Sequence, residues 1–145
     1  MKLLPMIGTS VLLALSTLNY ASTISSLNKS EAMNTLGDRT MTTISAATLN
    51  GKVIPNSFTG YFAKDGTMNG GFVNKPDDAP QTDKGTWKVS NDGKVCVTWE
   101  QWFNGKEQCV YLYQLTNGLL IINTDKGFES LVLKDDLKDG NQMVH

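Results

Sequence analysis

The stretch KVCVTWEQWFNGKEQCVYLY, Lys94 to Tyr113, holds both cysteines of the chain, two of its three tryptophans and an Asn-Gly pair. Apolar and polar residues alternate on either side of Asn104-Gly105, which is the pattern of two antiparallel strands joined by a turn. The alternation puts Val95, Val97 and Trp99 on one face, with Val110 and Leu112 joining them from the second strand. That is the core face, and Trp99 reads as a core tryptophan. The other face carries Cys96, Thr98, Glu100 and Trp102, with Cys109, Tyr111 and Tyr113 opposite.

Two registers are open to this hairpin. A two-residue turn at Asn104-Gly105 opposes Cys109 to Glu100, which lies roughly 13 Å along the strand from Cys96. A disulfide tolerates at most about 7 Å between Cα atoms, so a tight turn excludes the bond in a regular ladder. A Cys96–Cys109 bond instead opposes Glu100 to Gly105 and leaves Gln101 to Asn104 as a four-residue loop. Both registers keep the same residues on the same faces, because the shift between them is even. Export of the chain, argued below, favours the bond. Trp102 and Phe103 then fall at the loop. There they either contact a carbohydrate, peptide or lipid surface or lie under the polar loop or another hairpin. With Tyr111 and Tyr113 they are the candidate binding residues.

Outward from this stretch the same rhythm continues. Short runs rich in Val, Ile, Thr, Phe, Tyr and Trp fall at 40–47, 57–63, 67–74, 85–90, 94–102, 106–116, 119–125 and 129–133. They are separated by glycine-bearing turn signals at Asn50-Gly51, Asp65-Gly66, Asn69-Gly70-Gly71, Asp92-Gly93, Asn117-Gly118 and Lys126-Gly127. Seven or eight sequential strands with short turns form an antiparallel meander. Such a meander hides its edges by closing into a small lipocalin-like barrel or a sandwich. One short helix precedes it, capped by Ser30, ended by Gly37 and apolar at Ala32, Met33 and Leu36. It is expected to plug or flank one end of the barrel. Lys75 to Lys84 reads as a polar loop.

The remaining boundaries follow from composition. Met1-Lys2, an uncharged apolar run to Leu18 and small residues at Ala21-Ser22 have the layout of a secretory signal peptide over 1–21. Residues 22–38 then hold a linker and the helix, 39–134 a single β domain, and 135–145 a polar tail expected to fray. The predicted localisation is exported, periplasmic or extracellular, with no stable membrane anchor after signal cleavage. Without Lys2 the chain carries twelve basic and fourteen acidic side chains, and Arg39 is its one arginine. No basic stripe exists for nucleic acid, and no polybasic patch for a membrane surface.

The residues Gly85, Trp87, Cys96, Trp99 and Cys109, set in GTWKVSNDGKVCVTWEQ and EQCVYLY, carry a family pattern. Over roughly residues 30 to 115 the chain resembles the exported bacterial proteins grouped as domain of unknown function 995. The resemblance implies a small exported β-rich domain and no activity, so it brings no catalytic residues.

Catalytic constellations are scarce. The one histidine is His145, the last residue, a poor place for a base or a zinc ligand. Glu100 and Glu107 flank the hairpin turn on one face and would be the pair for carboxylate-dependent hydrolysis, although solvated charge is the plainer reading. Asp77, Asp78 and Asp83, like Asp135, Asp136 and Asp139, lack calcium-loop spacing. No metal, cofactor or catalytic residue is expected. The expected function is a non-enzymatic binding or interaction module whose partner is a protein, a glycan or a small apolar ligand. A carrier with an apolar barrel cavity is the second reading. Phe58, Phe62, Trp87 and Trp99 filling the interior would eliminate it.

Overall fold

The structure, a computed structural model, describes residues 24–44, 47–49, 52–54, 58–72 and 80–143. The expected signal segment, Asp77, Asp78 and His145 lie outside these residues. Eleven strands are present: β1 (Arg39–Thr42), β2 (Ala47–Leu49), β3 (Lys52–Ile54), β4 (Phe58–Phe62), β5 (Thr67–Phe72), β6 (Thr82–Val89), β7 (Val95–Trp99), β8 (Gln108–Leu115), β9 (Gly118–Asn123), β10 (Gly127–Leu133) and β11 (Leu137–Asp139). Nine form one antiparallel sheet in the order β10-β9-β8-β7-β6-β5-β4-β1-β11. The sheet curls into a nearly closed barrel. Its seam is a bridge between Ile44, just past β1, and Leu131 of β10, made by N–H···O bonds of 2.7 and 3.1 Å. The expected mostly β meander with one helix is therefore the architecture, with more strands than expected.

Two of the added strands form a hairpin. Arg39 opposes Phe62 and Thr42 opposes Thr59. Ala47 opposes Ile54 and Leu49 opposes Lys52, which keeps the same offset. So β2–β3 forms a separate two-stranded sheet in the same register as the β1–β4 ladder. The third addition corrects the frayed tail: β11 pairs with β1, and Arg39 forms an ion pair of 2.9 Å with Asp139. The buried Thr40 hydroxyl donates to the Gly140 carbonyl (2.7 Å) and accepts from the Gln142 N–H (2.8 Å).

The helix α1 (Lys29–Leu36) is capped by Asn28 rather than Ser30. Asn28 accepts from the Glu31 N–H while the Glu31 carboxylate accepts from the Asn28 N–H, a reciprocal capping box. Ala32 and Leu36 are buried, but Met33, assigned to the same face, is exposed. Leu27 is tied to β8 by its N–H, which donates to the Leu112 carbonyl. It crosses so close over Gly93 that a Cβ there would lie 2.1 Å from the Leu27 carbonyl oxygen. Gly93 also has φ 85°, so the 90–94 turn and the crossing chain both require glycine.

The barrel thus has two unlike ends. The turns at 63–66, 90–94 and 116–117 gather at one, with α1 drawn across it. The connections between β1 and β4, β5 and β6, β7 and β8, and β9 and β10 gather at the other. Among the described residues no helix is long and apolar enough to cross a membrane.

Candidate functional site

The disulfide is present. Cys96 and Cys109 are directly opposed on β7 and β8, with Cα atoms 4.1 Å apart, the close spacing of a non-hydrogen-bonded antiparallel pair. The β7–β8 ladder stops one pair later, at Val97–Gln108. The loop beyond is therefore wider than the four residues expected. β7 runs on to Trp99 by pairing with β6, where Trp99 opposes Gly85.

That wide loop reverses the expected place of Trp102. A 3-10 turn over Trp102–Gly105 holds Phe103 and Asn104 in left-handed conformations, each with φ 55°. Strand alternation does not pass through such a turn. Trp102 is swung onto the core side, where it is 3% exposed. Its ring lies 4.6 Å from that of Trp99 and 4.7 Å from that of Phe72, and its indole N–H donates to the Pro80 carbonyl. The segment leading into β6 thus covers it, the second of the two placements open to it. Phe103 stays at the rim, 47% exposed.

The buried Asp83 fixes this loop. One of its carboxylate oxygens accepts from the backbone N–H groups of Gln101 (2.9 Å) and Trp102 (2.8 Å), and the other accepts from Lys84. Read from sequence as a member of a polar loop, Asp83 is an inward residue of β6. The other two candidates stand apart from the rim. Tyr111 and Tyr113 are half-buried on the outer face of β8. The Tyr111 hydroxyl donates to Asp92, and Lys94 lies over its ring at 5.7 Å. The four candidate residues are therefore not brought together.

The barrel encloses a cavity of about 400 Å³, within the size range of small-molecule sites. Phe58, Phe62 and Trp99 do point inward, but they line this space rather than fill it. Trp87 packs against Phe62 at 5.4 Å, edge to face, with its indole N–H on the Ala63 carbonyl. Leu36 of α1 lines the cavity at the closed end, and Phe103, Gln108 and Lys126 line it at the open end. A glycine makes room for its aromatic wall. Asn69-Gly70-Gly71, read as a turn signal, runs straight through β5, and a Cβ on Gly70 would meet the Trp99 ring at 2.3 Å.

Its polar lining was not foreseen. Asn123, Glu129 and Ser130 line the same space. Asn123 faces inward by the alternation of β9, and a bulge in β10 brings in the other two. Phe128 opposes Ile122 and Ser130 opposes Ile121, so Glu129 is the extra residue. Unbroken alternation would have opposed Ser130 to the outward Leu120. The slip of one residue turns it in beside the buried Ile121. Neither glycine nor proline marks the bulge, so sequence offered no signal for it.

The hydrolytic pair is not assembled at this cavity. Glu107 forms an ion pair with Lys88 beside the disulfide, and Glu100 borders a separate depression with Lys84 and Thr98. Among the described residues, the sole close grouping of metal-ligand types is Cys96, Glu107 and Cys109, whose two sulfurs are bonded to each other. At the 90–94 turn, the Ser90 hydroxyl donates to Asp92, with Lys94 and Tyr111 adding support. Together they hold the Asp92 carboxyl down at about 2. No family model, no curated protein and no solved structure matches this chain.

Proposed function

We propose that this protein is a binding protein that takes a small apolar molecule into its barrel cavity. The observation that carries the reading is a ligand-sized cavity, walled by Phe58, Phe72, Trp99 and aliphatic side chains, inside a barrel closed at one end by α1. An apolar molecule entering it leaves water for a surface of rings, which is the driving force such a site needs. Export to the periplasm or outside the cell belongs to the same proposal. It is supported by the Cys96–Cys109 bond, because disulfides persist in oxidising compartments. So does the likeness of Gly85, Trp87, Cys96, Trp99 and Cys109 to the exported family of unknown function.

The test is titration with N-phenyl-1-naphthylamine, a neutral apolar dye that brightens out of water. Saturable one-to-one binding to the native protein is expected. It should weaken at least about tenfold when Val110→Trp fills the space. Absence of saturable binding would end the proposal. A second reading rests on Phe103: held exposed at the rim, it suits contact with a protein or glycan surface. Phe103→Ala would then abolish capture of that partner, whereas Val110→Trp, which fills the cavity, would leave that capture in place.

A further inference from the structure

Five polar side chains are buried among the described residues: Thr40, Thr43, Asp83, Asn123 and Ser130. Thr40 clasps Gly140 and Gln142, and Asp83 holds the 101–102 backbone. The Asn123 carbonyl accepts from the N–H groups of Asp125 and Lys126, and its amide donates to Glu129. Thr43 accepts from the Phe58 N–H, which leaves its hydroxyl proton without an acceptor among the described residues. Ser130, 4% exposed, has no side-chain partner at all among them. Buried hydroxyls are ordinarily bonded, so an orphan calls for an explanation.

Both orphans face the cavity. They also share one place, since Thr43 and Ser130 flank the Ile44–Leu131 bridge on the two strands that close the barrel. The wall is therefore divided. Aromatic rings come from the arc of β4, β5 and β7, and hydroxyls from the seam of β10 and β1. From this division, and resting on the cavity reading above, we infer that the ligand is a neutral amphiphile. Its apolar ring system lies against Phe58, Phe72 and Trp99, and its carbonyl or hydroxyl oxygen accepts from Ser130 and Thr43. A pure hydrocarbon leaves both hydroxyls unpaired. An anionic head group lodged at the seam is disfavoured, because two hydroxyls do not compensate the loss of its hydration and the Glu129 carboxylate lines the same space.

A matched pair of probes separates these cases: 2-acetylnaphthalene and 2-isopropylnaphthalene, nearly the same shape and differing by the ketone oxygen. Binding of each is measured by quenching of tryptophan fluorescence, in the native protein and in Ser130→Ala. The ratio of the two affinities should move against the ketone by about fivefold in the variant, the ordinary weight of one hydrogen bond. Ser130→Cys, which keeps the side-chain shape and weakens the donor, should move it the same way and serves if Ser130→Ala melts early. If both probes bind and the ratio stays fixed in both variants, the inference is overturned and the apolar cavity stands. If neither probe binds the native protein, the cavity reading fails and the inference with it.

Discussion

The two ends of the barrel are built by different means. The closed end is made of tight turns, a capped helix and a crossing segment, held by bonds within the turns and the cap, by the long-range Leu27–Leu112 and Thr40–Gly140 bonds and by buried aliphatic packing. The open end is made of wider connections: a 3-10 turn with two left-handed residues, a bulge, and the separate β2–β3 hairpin set between β1 and β4 in the chain. Its order depends on a few long-range polar anchors, Asp83 foremost. The comparison teaches that the proposed cavity opens at the end with the least locally secured structure, where sites commonly sit.

The sharpest way to break that comparison is Leu36→Ala. Leu36 is 1% exposed where α1 closes the barrel. Its truncation should cost about 3 kcal/mol and lower the whole melting transition. A variant that melts like the native protein would show that the helix is not a plug. Next comes the bond at the base of the 98–107 loop. Replacing both Cys96 and Cys109 by Ala should cost about 2–3 kcal/mol, the range for a closed loop of this size. Denaturant unfolding should show the loss as an earlier midpoint, and an unchanged midpoint would mean the loop is secured by packing alone.

Asp83→Asn targets the open end by itself. It substitutes an amide for a carboxylate that accepts three backbone N–H bonds, and about 2 kcal/mol should be lost. The signature is local: faster hydrogen exchange at Gln101 and Trp102 and a red shift of tryptophan emission, with amides of the closed end still protected. Uniform loss of protection would show that the two ends unfold together. The smallest effect belongs to the 90–94 turn. The carboxyl of Asp92 is depressed from 3.8 to about 2, so whatever it adds to stability is present above its ordinary value and disappears as pH falls through about 2. A carbon-detected titration should place the Asp92 midpoint near 2, and a midpoint near 3.8 would remove the turn network from the account.

The same division governs what was legible in the sequence. Strands at the closed end announce themselves, because Asp65-Gly66, Asp92-Gly93 and Asn117-Gly118 sit where tight turns need positive φ or close approach. The inward set Val95, Trp99 and Leu112 followed from alternation alone. So did the compatibility of a Cys96–Cys109 bond with that set. At the open end the local code misleads. Asn69-Gly70-Gly71 resembles a turn, but its glycine is spent on the Trp99 ring. Trp102 left the face that alternation gave it because β7 ends at Trp99 and Gln101 is already in helical backbone, φ −119° and ψ −40°, before Trp102 is reached. Ser130 reached the cavity through a slip that only the partner strand defines. The polar side of the candidate site was therefore invisible until pairing was known, whereas Phe58 and Trp99 could be named in advance as inward residues.

The clasp of Thr40 on Gly140 and Gln142 spans 100 and 102 residues of chain. Until that distant stretch has been made, β1 lacks one of its two strand partners, although the residues of the Ile44–Leu131 seam are already present. Pairings so far apart in sequence are the kind that slow folding, since the long loop must close before they form. A nascent chain stopped after Leu133 would carry nearly every strand and still present a bare edge to its neighbours. That bare edge is where such a truncated chain would mispair with a second copy of itself.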